Sequence, residues 1–170
     1  PVSSAGTPRA YLAGNSLGAQ PAGARAAVQA ELATWARLGV DGWFAAERPW
    51  VDAERALAEM TARIVGARVH EVTTANTLTV NLHLLMSSFY RPSGSRTAVL
   101  IDAPTFPSDR YAVVSQLRHH GLDPANDLIE VRPRSGEAVV RVDDLDDAIL
   151  ENSDRLALTL LAGVNYATGQ

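Results

Sequence analysis

From Thr74 to Gln116 the chain reads TANTLTVNLHLLMSSFYRPSGSRTAVLIDAPTFPSDRYAVVSQ. A polar turn rich in Thr and Asn precedes an amphipathic run, and a Pro/Gly turn then leads into a short apolar strand, Ala98–Ile101. An aromatic residue and Pro-Ser-Asp follow, where a new helix is predicted to begin. In α/β folds a strand that delivers an aromatic side chain and a helix N-terminus to one sheet edge builds a site for flat, phosphorylated ligands. The stretch therefore predicts an α/β fold with such a site.

The remaining sequence continues the alternation of helices and strands. The predicted helices are 21–38, Ala53–Val65, Thr77–Tyr90, Ser108–His119 and Val142–Leu150, and the predicted strands are Glu71–Thr73, Ala98–Ile101, Leu128–Val131 and Leu156–Leu161. Strands separated by helices of about three turns indicate a parallel, doubly wound sheet with flanking helices. In the helix Thr77–Tyr90 we expect Val80, Leu84 and Leu85 to face inward. The last strand is apolar on both faces, which is typical of a central strand.

Two segments are predicted. Residues 1–52 comprise an N-terminal arm (1–20), a helix and a loop with an aromatic cluster, and residues 53–170 form the first part of an α/β domain. No helix is predicted after the last strand to cover the sheet, so we expect the chain to be part of a longer protein in which this domain continues.

Composition argues against several classes of function. The formal net charge is -4 and the arginines are scattered, which gives no footprint for nucleic acid. No window approaches the roughly 18 uninterrupted apolar residues of a membrane span. The chain has no cysteine, which excludes thiolate metal sites and fits a reducing, cytoplasmic location. No histidine spacing indicates a metal site.

Thr79 falls in the first turn of the helix Thr77–Tyr90. Unpaired backbone N–H groups and the positive end of the helix dipole suit this position to a phosphate. The alternative is a purely structural helix start capped by Thr77 or Asn76.

Phe106 follows a strand and precedes Pro107, which holds the aromatic residue at the sheet edge. Its ring could stack on a planar ligand or could pack onto the core. Ser108 and Asp109 begin the next helix, where both residue types are also favoured simply as caps.

The sequences of several segments resemble those of kynureninase, an enzyme family that uses pyridoxal 5'-phosphate (PLP). The resemblance is carried by YLAGNSLG (Tyr11–Gly18), GWFAAERPWV (Gly42–Val51), TLTVNLHLLMSSFYRP, FPSDRYAVVSQL and YATGQ (Tyr166–Gln170). It implies an aspartate-aminotransferase-like domain (PLP fold type I), a homodimer, and hydrolysis of the Cβ–Cγ bond of L-kynurenine or 3-hydroxykynurenine. The implied products are anthranilate or 3-hydroxyanthranilate and L-alanine, in tryptophan catabolism and NAD biosynthesis.

Position by position, the resemblance implies site residues. Leu78 and Thr79 would meet the PLP phosphate, Phe106 would stack on the pyridine ring, and Pro107, Ser108 and Asp109 would complete the cofactor side. The substrate pocket would include Ser16 and Trp43. Two departures from the family pattern are Ala13, where many relatives have Asp, and Ala162, where several have Ser or Thr.

The chain contains no lysine, because all 15 of its Lys and Arg residues are arginine. PLP enzymes of this kind hold the cofactor as a Schiff base on a lysine. We therefore expect no catalytic residue in these 170 residues and no activity from them alone. The alternatives are part of another fold-type-I PLP lyase or aminotransferase, and a short non-catalytic interaction module.

Overall fold

The computed structural model describes residues 4–170. The chain divides into two compact units, Pro1–Thr74 and Ala75–Gln170. The first three residues of the arm predicted over 1–20 lie outside the described residues, and residues 4–20 form turns and irregular backbone without a helix, as predicted. Residues 53–74 fall in the first unit, whereas the sequence placed them in the second segment. The domain boundary at residue 52 stays a prediction.

The first unit is helical. Its helices are α1 (Ala24–Leu38), α2 (Gly42–Ala45) and α3 (Ala53–Val65), with 3-10 turns at Gly39–Asp41, Trp50–Asp52 and Val69–Glu71. Helix α3 ends as predicted at Gly66, whose φ of 70° is the left-handed conformation that glycine adopts most readily. The predicted strand Glu71–Thr73 is absent from this part of the structure. A 3-10 turn stands there instead, closed by a hydrogen bond of 2.8 Å from the Arg68 amide to Glu71 Oε2.

The second unit is an α/β structure. It consists of α4 (Leu78–Phe89), β1 (Ala98–Asp102), α5 (Pro107–His119), α6 (Pro124–Asp127), β2 (Leu128–Val131), α7 (Val142–Glu151) and β3 (Leu156–Leu160). The three strands form a sheet in the order β2-β1-β3, and both neighbours of β1 are parallel to it. The predicted parallel sheet with flanking helices is therefore confirmed.

The core of the second unit lies on both faces of β1. Val99 and Ile101 point to one face, where they pack with residues of α4 and α5, and Leu100 points to the other, where it packs against Val131 and Val140 and near α7. This alternation follows from the two-residue period of a strand. Helices thus cover both faces of the central strand, as in a doubly wound sheet.

The structure corrects one expectation about burial. In α4 the predicted inward residues Val80, Leu84 and Leu85 are all exposed, and Met86 is the buried residue of the helix. Strand β3 lies at the edge of the three-stranded sheet and its five residues are only half-buried; its central position in the whole protein stays a prediction. No helix within residues 4–170 is both long and apolar enough to cross a membrane.

Candidate functional site at the carboxyl edge of the sheet

Helix α4 begins in a tightly held turn. Thr77 is the N-cap, and its hydroxyl oxygen accepts a hydrogen bond of 3.5 Å from the Val80 amide. Asn76 has a φ of 50°, and its side-chain amide donates a hydrogen bond of 3.1 Å to Asn81 Oδ1. The side-chain amide of Asn81 in turn donates one of 2.7 Å to the Ala75 carbonyl. The cap predicted at Thr77 is confirmed, and this turn fixes the direction in which the first amides of α4 point.

Leu78 and Thr79 are the first two residues of α4. The first-turn N–H groups of an α-helix have no acceptor inside the helix, and they lie at its positive end. Leu78 is exposed and Thr79 is half-buried, so this turn is open to solvent. The turn can therefore hold an anion with backbone amides and one hydroxyl.

Helix α5 begins with the other predicted residues. Phe106 is its N-cap, at a φ of -57° and a ψ of 133°, and Pro107 is the first helical residue. Ser108 and Asp109 occupy the first turn, where the Ser108 hydroxyl donates to Asp109 Oδ1 at 3.1 Å. Arg110 joins this turn to β2 through a salt bridge of 2.8 Å to Glu130. That hydrogen bond holds the pKa of Glu130 below its usual range and raises the pKa of Arg110.

The two helix starts lie at the same end of the sheet. The rings of Tyr90, after α4, and His120, after α5, lie 5.3 Å apart, so the two helices end together. Gln116 of α5 contacts His83 of α4 at 3.2 Å, which gives the same parallel alignment. The Tyr90 hydroxyl bonds to the Thr97 carbonyl, so the C-terminus of α4 lies at the amino end of β1, whereas α5 begins shortly after the carboxyl end of β1. The N-termini of both helices therefore lie towards the carboxyl end of β1. The residues predicted to meet the phosphate and the ring thus share one sheet edge.

A loop after β3 also reaches this edge. The Phe106 and Tyr166 rings meet at 5.1 Å with an interplanar angle of 87°. The side-chain amide of Asn165 donates a hydrogen bond of 3.3 Å to Asp102 Oδ2, at the end of β1, and one of 3.1 Å to the Pro104 carbonyl. Sequence patterns did not mark Asp102, Asn165 or Tyr166 as site residues. The motif YATGQ was the one sequence signal for this loop, and it gave no indication of which strand end the loop would contact.

The residues predicted to line the substrate pocket lie in the first unit. The Ser16 amide donates to the Ala13 carbonyl at 3.0 Å in an exposed turn. Trp43 belongs to α2, and its ring packs edge-on against Trp50 at 6.0 Å. The two tryptophans of the predicted aromatic cluster are therefore in contact, but the segment predicted as a loop contains α2 and two 3-10 turns. The pocket role of Ser16 and Trp43 stays a prediction. Among the described residues no group of three or more His, Cys, Asp or Glu side chains could hold a metal ion.

Comparison with known proteins confirms the resemblance. No family model matches the chain. It is 54% identical over 161 residues to the kynureninase of Salinispora tropica, covering 95% of this chain and 38% of that protein. It is 51% identical to the kynureninase of Koribacter versatilis and 48% identical to that of Myxococcus xanthus, in each case over 165 residues, 97% of this chain and 39% of the relative. The chain is therefore homologous to the kynureninases along nearly all of its own length, and it spans less than two fifths of theirs.

Proposed function

We propose that this chain forms the phosphate-binding and ring-stacking side of the PLP site of a kynureninase. The whole protein would hydrolyse the Cβ–Cγ bond of L-kynurenine or 3-hydroxykynurenine and release L-alanine with anthranilate or 3-hydroxyanthranilate. The observation that carries this proposal is the identity of about half of all residues to proteins named kynureninase across 95–97% of the chain.

The start of α4 fits the phosphate group. Leu78 and Thr79 supply first-turn amides, and Thr79 adds a hydroxyl donor. Hydrogen bonds to a charged partner are roughly twice as strong as neutral ones, and the helix dipole favours the anion further. Thr77 already caps the helix, so Thr79 is not needed as the cap. The cap at Thr77 is common to both alternatives, and it leaves the hydroxyl of Thr79 available for a phosphate.

Phe106 fits the pyridine ring. Its side chain is 48% exposed, and its contact with Tyr166 is edge-to-face. Whichever ring presents its edge, at least one face of Phe106 is not covered by Tyr166. A planar ring can therefore stack on Phe106, and Pro107, Ser108 and Asp109 form the helix start that directly follows it. When bound, PLP would act as an electron sink for the amino-acid substrate.

The remaining parts of the proposal concern the whole protein. Because these 170 residues contain no lysine, any covalent attachment of PLP to a lysine lies outside them. We propose that Ser16 and Trp43 contribute to the kynurenine pocket, and that the protein is a cytoplasmic homodimer. Ala162 has no hydroxyl and offers only its amide, which here donates to Asp102 Oδ1 at 3.4 Å.

An activity assay of the whole protein tests this proposal. Purified protein supplied with PLP and L-kynurenine should release anthranilate, seen by its fluorescence, and one equivalent of L-alanine, and 3-hydroxykynurenine is assayed in parallel. Transfer of the amino group to a 2-oxo acid without release of alanine would instead identify an aminotransferase. Absence of both reactions and of PLP binding would favour a non-catalytic interaction module.

A further inference from the structure

The loop Ala162–Gln170 is fastened to the carboxyl edge of the sheet by one side chain. Asn165 is only 7% exposed, although it lies outside any helix or strand. Its amide nitrogen donates to Asp102 Oδ2 at 3.3 Å and to the Pro104 carbonyl at 3.1 Å. Its amide oxygen accepts from the amides of Ala167 at 3.0 Å and Thr168 at 3.2 Å. These bonds use both donors and both acceptor positions of the side chain.

Asp102 is the anchor for both segments that flank the edge. Its carboxylate receives Asn165 from the loop, and its carbonyl oxygen accepts the hydroxyl of Thr105, the residue directly before Phe106. Asn165 also bonds to Pro104, two residues before Phe106. The loop and the segment that carries Phe106 are therefore held together by the side chain of Asn165. Only a side-chain amide at this position can donate both hydrogen bonds to the segment and accept both from the loop.

Tyr166 follows Asn165 directly, so the hydrogen bonds of Asn165 also fix the position of Tyr166, which contacts Phe106. The two rings meet edge-to-face at 5.1 Å, a favoured arrangement of aromatic pairs. Both rings are about half exposed, so the core does not enclose either of them. The contact with Tyr166 is the one ring contact recorded for Phe106 among the described residues, and it limits how far the Phe106 plane can tilt.

We propose that Asn165 is a positioning residue: through Tyr166 it sets the plane of the Phe106 ring, on which the pyridine ring of PLP stacks. This inference rests on the proposed PLP site and extends it to two residues of the loop. It acts on the orientation of the cofactor ring and leaves the phosphate contacts at α4 unchanged.

PLP titration of the whole protein tests the inference. The dissociation constant is measured from the change in visible absorbance, and the circular dichroism of the bound cofactor reports its orientation. Asn165→Ala and Tyr166→Ala should each raise the dissociation constant by about 2- to 10-fold, because each releases the edge-to-face contact. Both should also change the visible circular dichroism in the same sense. Tyr166→Phe, which keeps the ring, should restore the parental values, and Tyr111→Ala serves as a control for loss of an exposed tyrosine on α5.

A double-variant comparison separates positioning from a general structural role. In a Phe106→Leu background the effects of Asn165→Ala and Tyr166→Ala should disappear, since the ring through which they act has been removed. Effects that persist in full in that background would overturn the inference. If Asn165→Ala does not fold, the pair Tyr166→Ala and Tyr166→Phe decides the question by the same criteria.

The outcomes also separate this inference from the proposed function. If Thr79→Ala and Phe106→Leu weaken PLP binding while the Asn165 and Tyr166 variants bind like the parent, the positioning role is wrong and the PLP site stands. If the parent protein binds no PLP, both are wrong.

Discussion

Tyr90 shows how one residue ties the packing of the second unit together. Its side chain is fully buried at the end of α4, and its hydroxyl donates to the Thr97 carbonyl, directly before β1. Burial, and to a lesser extent the carboxylate of Asp127, raises the pKa of Tyr90 to about 12. The neutral phenol is therefore the form that the fold requires.

This raised pKa predicts a loss of stability at alkaline pH. The folded pKa lies above the unfolded value of about 10, so the contribution of Tyr90 is complete below pH ~10 and is lost as the pH rises through about 12. Tyr90→Phe should lower the free energy of unfolding by about 0.5–1.5 kcal/mol near neutrality, since it removes one hydrogen bond. Urea unfolding of both proteins against pH measures this. The variant should lose less stability than the parent in that alkaline window, and parallel curves would contradict the assignment.

At the scale of elements, α2 depends on a glycine. Gly42 is buried, and a Cβ atom built there would lie 2.6 Å from the ring of Trp50, closer than such contacts allow. The backbone of α2 can therefore approach Trp50 only if residue 42 has no side chain.

We predict that Gly42→Ala separates the Trp43–Trp50 pair. The variant should be destabilised by about 1–3 kcal/mol through overpacking, and the near-ultraviolet circular dichroism of tryptophan should change. Gly23→Ala is the matched control, since a Cβ at Gly23 meets nothing within 4 Å. Unchanged tryptophan spectra in Gly42→Ala would contradict this packing.

The elements differ in how far the sequence could predict them. Strands β1 and β2 follow from short apolar runs, the end of α3 follows from Gly66, and the start of α5 follows from Pro107. The buried face of α4 does not, because Leu78, Leu85 and other apolar residues surround nearly the whole helix and no face stands out. The strand expected at Glu71–Thr73 is too short for periodicity to separate it from a turn.

The candidate site divides in the same way. Leu78, Thr79 and Phe106 lie at the starts of helices, which local sequence signals indicate, so the sequence could identify them as candidates. Asn165 reaches Asp102 across 63 positions of the chain, and no local pattern encodes such a contact. The family was identified from the resemblance of whole sequence segments, because the spacing of residue types alone did not indicate it.

At the scale of the whole molecule, the first unit carries a large uncovered apolar groove. It has a volume of about 950 Å³ and lies between α1 and α3, lined by Val28, Leu32, Trp35, Leu57 and Met60 among others. All five of these side chains are exposed in the chain by itself. Leaving apolar area in water forgoes roughly 25 cal/mol per Å².

We therefore predict that the 170-residue chain, expressed alone, binds hydrophobic dyes and aggregates at modest concentration. Leu32→Glu, within the groove, should reduce dye binding, whereas Ala33→Glu, outside it, should not. Dye fluorescence and light scattering measure this. A clean monomer with a sharp, reversible thermal transition and no dye binding would contradict the prediction and favour a self-contained module.

The central claim is that the starts of α4 and α5 hold PLP, and titration of the whole protein with PLP tests it most directly. Thr79→Ala should raise the dissociation constant by about 10- to 100-fold and Phe106→Leu by about 2- to 10-fold, from the loss of a charge-assisted hydrogen bond and of ring stacking. Ser88→Ala and Phe89→Leu, at the far end of α4, are the matched controls and should bind PLP like the parent. If Thr79→Ala and Phe106→Leu also bind PLP like the parent, the cofactor does not bind at this edge of the sheet.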